Sequence, residues 1–104
     1  MYKLLIAFAL LLSIPSAKSV VHSVSMKWQA STGKNVLYGV GRSTKSMGPY
    51  TTIATGISGL TYTDRSNLVA GTTYYYVVAA YYKSCGVKCE SKYSNQVAAK
   101  IPQY

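Results

Sequence analysis

An all-β sandwich or barrel of short strands is the fold class this sequence predicts, and three observations predict it. Helix-building residues are scarce: Glu occurs once, whereas Tyr occurs 11 times and Val, Thr and Ser are frequent, a bias that suits pleated, half-buried surfaces. Successive segments alternate apolar and polar residues with period two, separated by Gly, Ser and Asn clusters. No stretch repeats apolar residues at helical spacing over three turns. Short strands at close spacing with turns between them are the mark of sandwiches and barrels.

Composition narrows the class further. A length of 104 residues supports one domain. Hydrophobic residues make up 49%, so this is a folding chain and not a disordered basic tail, despite a formal charge of +9. One His, one Asp and one Glu leave almost no stock for acid/base chemistry.

The N-terminus reads as an address. Met1-Tyr2-Lys3 carries a positive charge, Leu4 to Leu12 is an unbroken apolar run, and Ser13-Ile14-Pro15 breaks it. The run is short of the ~20 apolar residues that span a bilayer. Charged start, short apolar centre and small-residue end together read as a secretory signal peptide over residues 1–19. Cleavage after Ser19 fits best, because Ala17-Lys18-Ser19 has small residues at both required positions; cleavage after Ala17 would set Pro15 three residues back. The alternative is an uncleaved membrane anchor. No Cys lies near the cleavage site, against a lipid anchor. The expected mature domain is residues 20–104, exported to the extracellular space, or to the periplasm or cell surface of a bacterium.

Its strands follow in order. In Ser23 to Trp28, Val24, Met26 and Trp28 share one face and Ser23, Ser25 and Lys27 the other. Residues 31–35 form a loop. Val36 to Arg42 is the next strand, with Tyr38 and Val40 pointing in and Gly39 and Gly41 out. Gly48-Pro49 signals a turn. Tyr50 to Ile53 and Leu60 to Thr63 are short strands, and Asn67 to Gly71 turns the chain into Thr72 to Tyr82, the longest β run. After a polar loop bearing both cysteines, Gln96 to Ile101 closes the domain with Val97, Ala99 and Ile101 in phase.

Ordered blocks within this pattern carry a family signature: His22 to Trp28, Tyr38-Gly39-Val40, Arg42-Ser43-Thr44, Gly48-Pro49-Tyr50-Thr51, Thr61-Tyr62-Thr63-Asp64, Leu68 to Val78, Tyr93 to Val97 and Ile101-Pro102. Together they resemble a fibronectin type III domain of the bacterial extracellular kind, from about residue 22 to residue 102. The resemblance implies an immunoglobulin-like sandwich of about seven strands in two sheets. It also implies a core marked by Trp28 and by Tyr74 at the tyrosine-corner position, where the hydroxyl bonds nearby backbone. Phase then sets Tyr38 and Tyr76 in the core with them, together with Val78 and Ala80. Tyr75, Val77, Ala79 and Tyr81 fall on the outer face.

Two departures from the family stand out. Its first strand precedes the His22-Ser23-Val24 block by about ten residues, and after cleavage almost nothing remains there. The first strand is thus expected to be missing or short, leaving residues 23–28 as an open edge for strand addition by a partner or a second copy. Where the family's third strand carries a second aromatic, this chain has Gly41. Gly39 and Gly41 would open a shallow groove or let a neighbouring Tyr ring cover the backbone; the second reading is favoured, since strand glycines often mark close approach.

The candidate chemistry is sparse. Cys85-Gly86-Val87-Lys88-Cys89 lies between the last two strands, and export favours a Cys85–Cys89 disulfide. A metal site or a catalytic thiol is the alternative, but the spacing is not the redox Cys-x-x-Cys and His22 is the only imidazole. No carboxylate pair and no oriented base is visible, so no catalytic residues, metal or cofactor are expected.

Lys83, Lys88 and Lys92 crowd the Cys loop, flanked by Tyr81, Tyr82 and Tyr93, and family topology places the Lys34 loop at the same pole. A solvated, solubilising surface explains such charge. Tyr and Lys together also suit an anionic or sugar-bearing partner, Tyr giving rigid contact area and Lys long-range attraction. The candidate binding set is therefore Lys34, Tyr81, Tyr82, Lys83, Lys88 and Lys92. The expected function is a secreted, non-enzymatic binding or adhesion module. Its partner would be an extracellular protein, a polysaccharide or another polyanion at a cell surface, with no specific nucleic acid and no stable membrane insertion of the mature chain. The alternative is a structural subunit of a surface assembly joined by strand addition. A membrane-active toxin is disfavoured by the lack of a basic amphipathic helix.

Overall fold

The computed structural model describes residues 6–11 as backbone, together with residues 21–85 and 90–103. Seven strands follow in chain order: β1 (Ile6–Leu11), β2 (Ser23–Trp28), β3 (Val36–Ser43), β4 (Thr51–Ile57), β5 (Thr61–Asp64), β6 (Thr73–Tyr82) and β7 (Val97–Lys100). They form two antiparallel sheets ordered β1-β2-β5 and β4-β3-β6-β7, and no helix occurs among the described residues. Period-two patterning predicts a sandwich or a barrel and the family resemblance a two-sheet sandwich; the sandwich is the fold observed.

The core forms where the apolar phases of the two sheets meet. Val24, Met26 and Trp28 of β2 pack towards Tyr38 and Val40 of β3 and Tyr74, Tyr76 and Val78 of β6, and Ile101 is fully buried beside them. The Trp28 and Tyr38 rings lie 5.5 Å apart, tilted by 55°, within the range where aromatic pairs attract beyond simple area burial. The Tyr74 hydroxyl accepts the Val69 N–H at 2.9 Å and donates to the Asn67 carbonyl at 3.3 Å. These two bonds tie the loop before β6 to its first turn of side chains, as the tyrosine-corner position implies.

The first strand expected to be missing or short after cleavage is present in the full chain: Ile6–Leu11, the centre of the apolar N-terminal run, pairs with β2 from Ile6↔Trp28 to Leu11↔Ser23. The edge of residues 23–28 is therefore covered within this chain. Period-two reading missed β1 because nine consecutive apolar residues carry no alternation.

The outer face of the larger sheet is also not open. Val77, Ala79 and Tyr81 lie on the face opposite the core residues of β6, yet all are buried. β4 lies beside β3 in the same sheet, its pairing broken by register shifts between Tyr38 and Val40 and between Val40 and Gly41. A Cβ at Gly41 would meet Tyr50 Cβ at 3.1 Å and Val77 Cγ2 at 3.2 Å, and one at Gly39 would reach the Tyr81 ring at 4.0 Å. The two glycines thus admit covering side chains, the outcome favoured from the sequence.

Candidate functional site

The pole at the end of β6 is built by chain reversal. Gly33 and Asn35 adopt left-handed backbone, φ 113° and 57°, conformations that Gly and Asn tolerate best. The chain then enters β3, and the antiparallel register sets Val36 opposite Tyr82. Beyond the strands, the Lys83 N–H donates to the Asn35 carbonyl at 2.9 Å and the Cys85 N–H to the Tyr82 carbonyl at 3.2 Å. The result is a cleft of about 440 Å³ lined by Lys34, Asn35, Tyr82, Lys83 and Ser84. Tyr82 remains 41% exposed. Among the described residues no acidic side chain lines the cleft.

The candidate binding residues divide here. Lys34, Tyr82 and Lys83 meet in the cleft. Lys92 is exposed but outside its lining. Tyr81 points the other way: it is 6% exposed, and its hydroxyl accepts the Gly56 N–H at 2.6 Å. As a buried ring pinning β4 to β6, it is unsuited to docking, which corrects its place in the binding set. Lys88 and Cys89 lie outside the described residues, so the Cys85–Cys89 pairing and the third loop lysine are outside them too. No free cysteine occurs among the described residues.

Two serines that sequence reading passed over support the base of this loop. Ser91 Oγ accepts the Ala80 N–H at 2.9 Å and donates to the Lys92 carbonyl at 2.9 Å. Ser94 Oγ treats Val78 N–H and the Asn95 carbonyl the same way, at 2.9 and 3.1 Å. The Ser91 and Ser94 N–H groups in turn donate to the Ala80 and Val78 carbonyls. Each buried serine therefore satisfies both backbone groups of its β6 neighbour where no regular ladder runs, which buried backbone requires.

A second groove of about 380 Å³ lies among Arg42, Ser43, Thr44, Lys45, Pro49, Thr51, Ile53 and Tyr74. Its guanidinium is already committed. Arg42 Nη1 donates to Asp64 Oδ2 and to the Ser66 carbonyl, each at 2.8 Å, and the group stands 5.1 Å over the Tyr74 ring. Asp64 Oδ2 also accepts from the Tyr76 hydroxyl at 2.7 Å, while Oδ1 takes the Ser66 N–H and hydroxyl. Burial alone would raise the Asp64 carboxyl; the bonds from Ser66, Tyr76 and Arg42 outweigh it and hold the group below the ordinary carboxylate value. Burial, then the bond to Asp64, drives the Tyr76 hydroxyl far above the usual phenol range. This is a fully paired structural lock and not a poised acid/base pair.

Among the described residues no three metal-ligating side chains gather. His22 is buried, and its Nδ1 has no hydrogen-bond partner among the described residues.

Solved structures share this architecture. An Fn3-like protein from Clostridium thermocellum is 38% identical, with a TM-score of 0.66 over 94% of this chain and 95% of that one. This chain belongs to the fibronectin type III-like family. Two more distant solved structures share the fold. One is the pectate lyase PelI from Erwinia chrysanthemi in complex with tetragalacturonic acid, at 21% identity and a TM-score of 0.59 over 93% of this chain and 27% of that one. The other is a myokine structure, at 14% identity and a TM-score of 0.58 over 89% and 92% of the two chains. No family model matches the sequence, and no curated protein matches it. The Fn3-like fold is that of a binding or structural module.

Proposed function

We propose that this Fn3-like chain is exported behind a cleaved signal peptide and acts as a non-enzymatic binding or adhesion module. Its partner is an anionic polymer or protein at a cell surface, taken on the basic pole of Lys34, Tyr82 and Lys83. The observation that carries the reading is the cleft itself: two lysines flank a half-exposed Tyr ring, with no acid among the described lining residues. Lysines attract an anion over about a Debye length, ~8–10 Å at moderate salt, and the ring supplies contact area at low entropy cost. In the sequence Lys88 and Lys92 follow within ten residues of Lys83 and add to the positive charge of this segment.

The test is titration of the exported protein with polygalacturonate, a sulfated dextran and neutral dextran. Binding to the two polyanions and not to neutral dextran is expected, with a marked loss in a Lys34→Ser/Lys83→Ser variant. Equal binding by parent and variant would remove the pole from the mechanism.

A further inference from the structure

The segment Ile6–Leu11 has two incompatible uses. In the folded chain it is β1, closing the edge of β2 along its whole length. In the sequence it is the middle of the apolar run that precedes Ala17-Lys18-Ser19. Cleavage after Ser19 would remove the strand and leave Val20, Val21 and His22 ahead of β2. Three residues cannot turn and pair as a strand.

The rest of the described chain offers no replacement. β5 already holds the other edge of β2, from Val24↔Asp64 to Lys27↔Thr61. β7 belongs to the other sheet, paired to β6. An unpaired β2 would present a row of open N–H and C=O groups, a template for a strand from another molecule.

We infer that removal of the N-terminal segment opens β2 and that a second copy of the chain closes it, β2 against β2 about a two-fold axis. This rests on the export reading above but not on the basic pole. The sequence of β2 suits self-pairing. Antiparallel strands keep apolar faces together only when residues of the same parity stand opposite each other. A pairing centred on Met26 sets Val24 opposite Trp28, so the buried apolar residues of β2 stay on one side. It also sets Lys27 opposite Ser25, whereas a pairing centred on Lys27 would place like charges face to face. An isologous contact satisfies both open edges at once and leaves none to propagate. The product is a closed dimer.

Two preparations decide it: the protein recovered from the medium of an exporting host, and the full 104-residue chain made without export. Intact mass reports the N-terminus of each, and sedimentation over a dilution series reports its size. The exported protein should begin at Val20 and sediment at twice its monomer mass, with amide protection over residues 23–28 that fades on dilution. The full chain should remain monomeric, with protection there at every concentration. A cleaved protein that stays monomeric across the series would overturn the inference, as would an exported protein that keeps residues 6–11. A full chain that dimerises as strongly as the cleaved one would overturn it too, because β1 would then play no part.

Discussion

The Asp64 carboxylate of β5 and the Tyr76 hydroxyl of β6 meet at 2.7 Å, one from each sheet of the sandwich. Arg42 of β3 reaches the same oxygen at 2.8 Å. One fully buried carboxylate is thus held from the opposite sheet by a cation and a hydroxyl. Buried charge persists in a core only when paired and hydrogen-bonded, and the Ser66 N–H and hydroxyl complete the set on the second oxygen. The chain's scarce acid is used to fasten the two sheets together.

Asp64→Ala should therefore destabilise the domain by about 3–5 kcal/mol, since it leaves Arg42 and Tyr76 without their partner. The pH dependence follows from the lowered carboxyl. The folded form binds this proton less readily than the unfolded form, so the stabilisation is full above the unfolded carboxylate value of about 3.9. It is lost as pH falls through the still lower folded value. Denaturant melts of parent and Asp64→Asn at falling pH check this: the parent should lose stability in acid, and the variant should lose much less.

Tyr74→Phe should cost about 1–3 kcal/mol, because the Val69 N–H and Asn67 carbonyl lose a partner at a part-buried site. Tyr38→Phe removes a comparable bond, the Ser31 N–H to the Tyr38 hydroxyl at 2.9 Å. Urea midpoints of the two variants give the comparison, and both should fall with unchanged slope.

How far the sequence alone could be read depended on whether a signal was local. Period two placed Trp28, Tyr38, Tyr74 and Tyr76 on inner faces because each sits in a regular strand whose neighbours alternate. Tyr81 stands on the opposite phase of β6, yet it is buried, its ring beside Gly39 and its hydroxyl on the Gly56 N–H of β4, contacts that no local pattern records. Ser91 and Ser94 were equally hidden, since their hydroxyls bond β6 across irregular backbone. Gln96 is another such case: its side-chain oxygen accepts from both the Met47 N–H and the Tyr50 hydroxyl, 46 or more residues away. At the pole, the family resemblance set the Lys34 loop beside the Cys loop, but only the register showed which tyrosine lines the cleft.

Ser94→Ala should destabilise by about 1–3 kcal/mol, as the buried Val78 N–H loses its acceptor. Ser94→Thr keeps the hydroxyl and should recover much of the loss. Thermal unfolding of the three proteins separates the hydrogen bond from simple volume: Ser94→Ala matching the parent would mean the bond is dispensable.

The exported protein should carry Cys85 and Cys89 joined. Reduction should leave the fold intact and lower stability by roughly 2 kcal/mol, the chain-entropy value for so short a loop. Intact mass with and without reduction, after alkylation, reports the bond; two thiols alkylated without reduction would exclude it.

The lysines and Tyr82 should separate by salt. Replacing Lys83, Lys88 and Lys92 with Ser removes charges whose attraction is screened beyond about 8–10 Å at moderate salt, so binding to a polyanion should weaken mainly at low salt and its salt dependence should flatten. Tyr82→Ser removes contact area from the cleft and no charge. Its binding should fall by a similar factor at every salt concentration, with the slope against salt kept. Titrations of the three proteins with one sulfated dextran at several salt concentrations give both slopes. A triple variant with the parent's slope would make the lysines a solubilising surface, and Tyr82→Ser binding as tightly as the parent would move the contact off the cleft.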